Sequence, residues 1–353
     1  MAFTLVTRQP VPAPHRLGPV PDEPHPWPER ALAAHLHWVT GKGGTGKTTV
    51  AAALALALAH DGRRVLLVET EGRQGIAQLF DTPPLPPTEE RIAVTHGGGE
   101  VRALAIDVEA ALLEYLAMFY NLGFAGRAMR RVGAIEFATT LAPGLRDVLL
   151  TGKIKECSVR RERDGSRTYD AIVVDSPPTG RIVNFLDVTR AMADLTKGGP
   201  IRTQADGVID LLHSSASVVH LVCLLEELPV QETVDALEEL AAADLAVGSV
   251  IVNRVEPQLL PARSIAPAAV GKVDTARLRE GFARAGLALA EPELAGLVTE
   301  TVQHAARVLT QRASRERLAR SGAAQLELPQ LHDGVDLGAL YELGELLTAQ
   351  GVR

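Results

Sequence analysis

The 353 residues carry 43 acidic against 36 basic side chains, a net charge of −7, with 46% hydrophobic and 22% charged residues. These globular proportions exclude disorder throughout, and the acidic balance argues against nucleic acid as the main ligand, because phosphate-backbone binding is led by Lys and Arg. Two cysteines, Cys157 and Cys223, exclude a disulfide framework or a Cys-rich zinc site, and no apolar run reaches the roughly 18 residues of a membrane span, so the chain reads as cytoplasmic.

Residues 1–33 are crowded with prolines and show no apolar period, so they are expected to form a flexible tail. From 34 to 353 short apolar runs alternate with helical patterns. Residues 35–40 read as a strand, followed by a glycine-rich loop and a helix over 47–60. Further strands are read at 64–69, 101–106, 169–175, 217–224 and 249–253, with helices at 230–243 and 291–319. A last strand at 325–328 and a helix at 337–347 close the chain. Most of these strands are apolar on both faces, as in a doubly wound α/β fold with helices covering both sides of a mostly parallel sheet. Two stretches exceed a simple crossover, about 109–156 and 181–213. The first places Leu112, Leu113, Leu116, Phe119 and Tyr120 at helical spacing, followed by Leu122 and Phe124. Together the two stretches are expected to form an inserted α-helical subdomain on the nucleotide face.

Gly41-Lys42-Gly43-Gly44-Thr45-Gly46-Lys47-Thr48-Thr49 follows a predicted strand and opens a predicted helix. It satisfies G-x-x-x-x-G-K-[ST], the P-loop. Glycines let the backbone wrap around phosphate. The amides from Gly43 through Gly46 and on to Lys47, Thr48 and Thr49 supply anion-binding partial charge together with the helix N-terminus. Lys47 is placed to reach the β- and γ-phosphates of ATP, and Thr48 to ligate Mg2+ through its hydroxyl. Lys42 is either a solvated loop charge or the mark of a deviant motif.

With Lys42 the loop resembles that of the dimeric ATPases that include arsenite-pump ATPases, tail-anchored-protein-targeting ATPases, septum-site and partition ATPases and nitrogenase iron proteins. The resemblance implies that Lys42 reaches across a dimer to the partner's nucleotide, ATP or ADP. Asp175-Ser176-Pro177-Pro178-Thr179-Gly180 ends an apolar strand and resembles the D-T-A-P-T-G-H switch of the arsenite-pump and targeting ATPases, with Arg181 in place of His. That likeness sets Asp175 near magnesium and water. Asn253 matches the Asn that reads adenine in those proteins; its alternative role is that of a turn former.

Residues 65–74 align with the family's strand and first switch, typically S-T-D-P-A-H, and Glu71 falls where the family has the Asp that orients the attacking water. The extra methylene moves the carboxylate by about 1.5 Å, one C–C bond. A misplacement of about 1 Å costs on the order of a hundredfold in rate, so hydrolysis is expected to be slow. The alternative is that Glu71 merely caps or pairs with Arg73.

The resemblance covers about 35–353, and residues 73–80 look most like an actinobacterial, anion-transporting ATPase-like branch. It implies a homodimer, or a heterodimer with a paralogous ATPase, whose helical subdomain captures an apolar client segment or membrane-protein partner. A regulatory switch binding a partner protein and the ATPase subunit of an anion or metalloid export system are the alternatives. The two cysteines fall short of a three-thiolate metalloid cluster, and the C-x-x-C zinc clasp of the eukaryotic targeting ATPases is missing from the sequence. Residues 338–347 hold Glu342 and Glu345 and no Lys or Arg, unlike a basic membrane-docking helix.

Overall fold

The computed structural model describes residues 27–107, 110–111, 145–186 and 200–353. Eight strands form one sheet: β1 (Leu36–Gly41), β2 (Arg64–Glu69), β3 (Glu90–Val94), β4 (Glu100–Ala105), β5 (Ala171–Asp175), β6 (Ser217–Leu224), β7 (Val247–Val255) and β8 (Gln325–Pro329). Their order is β3-β4-β2-β5-β1-β6-β7-β8. Every neighbouring pair is parallel except β3 with β4. This is the doubly wound, mostly parallel sheet expected from the apolar runs. The edge strand β3 escaped the sequence reading because its residues are largely exposed and its register shifts between Arg91 and Ala93.

Among the described residues the α-helices, in chain order, are α1 (Glu29–Ala33), α2 (Lys47–Leu58), α3 (Gly75–Leu79), α4 (Leu145–Val159), α5 (Thr179–Leu186), α6 (Pro200–Leu212), α7 (Glu227–Ala242), α8 (Ala262–Ala269), α9 (Thr275–Arg284), α10 (Glu291–Ala319) and α11 (Leu337–Ala349). On one face of the sheet α4, α5, α6 and α7 bury Leu150, Ile154, Phe185 and Val208 against Leu36, Trp38, Ile172 and Val174. On the other face α2 and α11 cover Val39, Leu67, Val173 and Val222. Successive strand residues thus meet opposite cores, which is why these strands read as continuous rather than alternating apolar runs. Residues 50–59 are all buried because α2 lies between the sheet and α11. Among the described residues no helix is long and apolar enough to cross a membrane.

Two expectations meet different local structure. Residues 27–33, assigned to the flexible tail, pack on the sheet: Trp27 stacks on His220 at 4.9 Å and on His37 at 6.1 Å, and Ala31 is buried. An aromatic ring that covers a buried histidine pair gains enough contact to outweigh the flanking prolines. The described parts of the expected helical subdomain, within α4, α5 and α6, belong to the sheet's own core. Leu112, Leu116, Phe119 and Phe124 lie outside the described residues.

Candidate functional site

The C-terminal ends of β1, β2, β5 and β7 meet along one edge of the sheet. Asp175 is in register with Val39 on one side and Glu69 on the other. Gly41 is in register with Val222, and Asn253 with Leu224. The chain passes from one side of β1 to the other between β5 and β6, and such a reversal opens the crevice in which doubly wound sheets bind ligands.

The loop after β1 is held from within. Lys42's carbonyl accepts from the Thr45 amide at 3.3 Å and from the Thr45 hydroxyl at 2.9 Å. Gly46 is the N-cap of α2 and adopts φ +88. A Cβ there would lie 2.5 Å from Asn253 Nδ2, so glycine is required by conformation and by space. Having no side chain, Gly46 leaves the first-turn amides of α2, those of Lys47, Thr48 and Thr49 included, without a side-chain cap. Gly43 and Gly44 are exposed on the crest of the loop, and Thr49 is half-buried.

Asn253 is buried, and its amide is engaged by backbone at both ends. Nδ2 donates to the Thr45 carbonyl at 2.9 Å, and Oδ1 accepts from the Arg254 amide at 2.9 Å. The side chain expected to read adenine therefore fastens the P-loop to β7.

Five ionisable groups act on one another at this end of the sheet: Lys47, Glu69, Glu71, Arg73 and Asp175. Lys47 has no ion pair among the described residues. Burial lowers the pKa of its ammonium, Asp175 and Glu71 pull it back up, and Arg73 adds to the lowering. Burial pushes the Asp175 carboxyl up to about 6, against the Thr48 hydrogen bond and the Lys47 charge, while Glu69 and Glu71 push it further up. Thr48 Oγ1 donates to Asp175 Oδ2 at 2.7 Å. A hydroxyl beside a carboxylate is a hard-oxygen donor set, and Mg2+ takes one or two such protein ligands with waters and substrate phosphates completing its shell.

The two segments expected to act as switches are tied to this centre. Thr40 donates to the Pro177 carbonyl at 2.6 Å, and Thr70 to the Asp175 carbonyl at 2.7 Å. Glu71 stands 3.4 Å from Arg73 in the first switch. Lys42 does not stand free: its Nζ donates to Glu232 Oε1 on α7 at 2.6 Å. The structure thus gathers Lys47, Thr48, Asp175 and Glu71, sets Lys42 against α7, and turns Asn253 inward. Sequence reasoning missed Glu69 and Glu232. A carboxylate closing an otherwise apolar strand was a usable signal for Glu69, whereas Glu232 is one of several acidic residues on α7. Cys157 and Cys223 are both buried, which pushes their thiols up to about 12 and about 11.

Residues 35–212 match the family described as anion-transporting ATPase. The chain is 62% identical to ATPase BagA of Mycobacterium tuberculosis over 327 residues, 93% of this chain and 96% of that one. It is 28% identical over 285 residues to the arsenical pump-driving ATPase of Escherichia coli, covering 74% of this chain and 45% of the relative. Against ATPase GET3 of Lachancea thermotolerans it is 24% identical over 254 residues, 62% of this chain and 71% of that protein. With its P-loop opening a helix at the switch point of a mostly parallel sheet, the chain belongs to the anion-transporting ATPase family and is an ATPase.

Proposed function

We propose that the chain binds ATP and Mg2+ at residues 41–49, hydrolyses ATP slowly, and uses the nucleotide state to open and close a dimer. The observation that carries this reading is the Lys47 ammonium, half-buried and without an ionic partner among the described residues, beside the Thr48–Asp175 pair. In this reading the amides of Gly43, Gly44, Thr45, Gly46, Lys47, Thr48 and Thr49 cradle the phosphates. Lys47 meets the β- and γ-phosphates. Thr48 and Asp175 hold Mg2+, whose charge, when bound, offsets that of the phosphates. Glu71 orients the attacking water after leaving Arg73, and its extra methylene relative to Asp slows the reaction. Asn253 fastens the loop and keeps a second amide hydrogen and a second oxygen lone pair for the adenine. Titration calorimetry of ATP with magnesium tests the site: Lys47→Ala loses at least tenfold in affinity, and wild-type affinity in that variant overturns the assignment.

Lys42 supports the dimeric part of the reading. It lies half-exposed on the nucleotide face, held by a carboxylate that a phosphate can replace. Across a dimer of identical chains, or of this chain with a paralogous ATPase, it reaches the partner's nucleotide. The γ-phosphate then supplies contacts that ADP lacks, and ATP favours the closed pair. The output is capture of an apolar client segment or docking of a partner protein in the cytoplasm, tested by copurification with ATP against ADP. Export of a soft metalloid is disfavoured, because buried thiols with raised pKa values do not present the thiolates that such an ion takes.

A further inference from the structure

Residues 69–76 leave the end of β2 and return to start α3, and this short loop is fastened at both ends. Glu69 is 2% exposed, and its carboxylate turns back along the chain. Oε2 accepts from the Ile76 amide at 3.2 Å, and Oε1 from the Gln74 amide. Thr70 is tied to Asp175, and the Gln74 side chain accepts from the Leu85 amide at 2.6 Å. Between these anchors stand only Glu71, Gly72 and Arg73. Gly72 takes φ +66, a left-handed turn that side chains resist. Across that turn the two flanking side chains come together, with Arg73 Nε 3.4 Å from Glu71 Oε2.

This pair leaves most of the guanidinium unused. Among the described residues Arg73 Nη1 and Nη2 make no hydrogen bond, and the side chain is 79% exposed. The arch itself abuts the P-loop helix: a Cβ on Gly75 would lie 3.2 Å from Thr48 Cγ2, so Arg73 stands two residues from that contact. A planar fork with two open donors is matched to phosphate oxygens, which accept shorter and stronger bonds than an exposed ion pair provides. The arch is fixed and its cation is held weakly, so Arg73 exchanges partners without rebuilding the loop.

We propose that Arg73 is an arginine finger acting in its own subunit. The inference rests on ATP binding at residues 41–49. When the triphosphate is bound, Arg73 Nε leaves Glu71, and the open Nη pair meets the γ-phosphate and stabilises the charge that spreads over the transferring phosphoryl group. Glu71, released by the same exchange, takes the water. The water oxygen bonds to the γ-phosphorus as the bond to the β–γ bridging oxygen breaks, and that oxygen keeps the electron pair and leaves on ADP. Both water protons depart with the phosphate, which gives one to solvent near neutral pH. The two side chains thus offset each other's charge in the empty site, and the substrate draws them apart.

The experiment uses the full chain with magnesium and compares wild type, Arg73→Ala and Arg73→Lys. Affinity is measured for ADP alone and for ADP with tetrafluoroaluminate, a mimic of the transferring phosphoryl group, alongside kcat and KM for ATP. Arg73→Ala is expected to keep ADP affinity within about twofold, to lose at least tenfold in the extra affinity conferred by tetrafluoroaluminate, and to lose at least tenfold in kcat where turnover is measurable. Arg73→Lys recovers part of both losses. An equal tetrafluoroaluminate gain in wild type and Arg73→Ala overturns the finger. If Arg73 only held Glu71, adding Arg73→Ala to Glu71→Gln would cause no further loss, and that result overturns it too. Failure of the wild-type chain to bind ADP strikes the P-loop reading instead and is read from the same titration.

Discussion

Lys42 Nζ lies 2.6 Å from Glu232 Oε1, so the second lysine of the P-loop is paired within its own chain, to a helix 190 positions away. The side chains are 33% and 36% exposed. Pairs of that kind contribute only about 0.2–1 kcal/mol, so a nucleotide phosphate competes for the lysine on favourable terms.

If the lysine serves a partner's nucleotide, Glu232→Gln removes its competitor and Lys42→Ala removes the contact. Light scattering is expected to find more ATP-dependent dimer in the first variant than in wild type, by about two- to fivefold in dimerisation constant on the energy above. The second variant should show less. An identical monomer–dimer balance in all three proteins would leave Lys42 as a surface charge.

Asn253 offers a test between two roles. As a fastener of the loop, its loss leaves the Thr45 carbonyl and the Arg254 amide without their partners, at about 1–3 kcal/mol of stability. Asn253→Ala should then weaken ATP, GTP and inorganic triphosphate by similar factors. A loss confined to ATP would assign it the base-reading role.

The raised pKa of Asp175 has a definite sign in stability. The folded value, about 6, lies above the unfolded one. The acid therefore holds its proton more tightly in the fold, and stability falls as pH rises from about 4 to about 6. A shift of this size corresponds to about 3 kcal/mol. Asp175→Asn is expected to raise the unfolding free energy of the magnesium-free protein at pH 7.5 by about 1–3 kcal/mol, with the gain vanishing near pH 4. The same variant should lose magnesium-dependent ATP affinity. A stability gain that persists undiminished at pH 4 would assign it to packing rather than to the buried charge.

Glu71 governs rate in this scheme. Single-turnover hydrolysis by Glu71→Gln is expected to fall by about a hundredfold, the size of loss that follows when the attacking group is misplaced by about 1 Å, while ATP affinity stays within about twofold. Hydrolysis indifferent to the substitution would remove Glu71 from the chemistry and leave Asp175 as the acidic group nearest Lys47.

The sheet and the loop were legible because both write themselves locally. An apolar run of five or six residues marks a strand buried on two faces, and the glycine spacing marks a backbone that must curve. Trp27 was hidden by its proline neighbours, since composition does not reveal that a ring will stack on His220. The short β3, charged and irregular, has no such run. Asn253 was found by position but its engagement was not, because what decides it is a carbonyl on a loop 208 positions earlier. The Lys42–Glu232 pair is illegible for the same reason: contacts between distant segments leave no period in the chain.

Residues 50–59 have no exposed face. A helix gripped on every side in a close-packed interior yields very little under load, so α2 is the stationary part of the site, as an anvil is to a hammer. In the proposed reading, what a nucleotide displaces is less confined: the side chains of Glu71 and Arg73 on the fixed arch, and the turn after Asp175. Position along that reaction would then be recorded as the distance of those groups from a fixed stop. Shortening Leu54 to Ala would loosen the stop itself, and those groups would then move by the same amounts without reporting the same state.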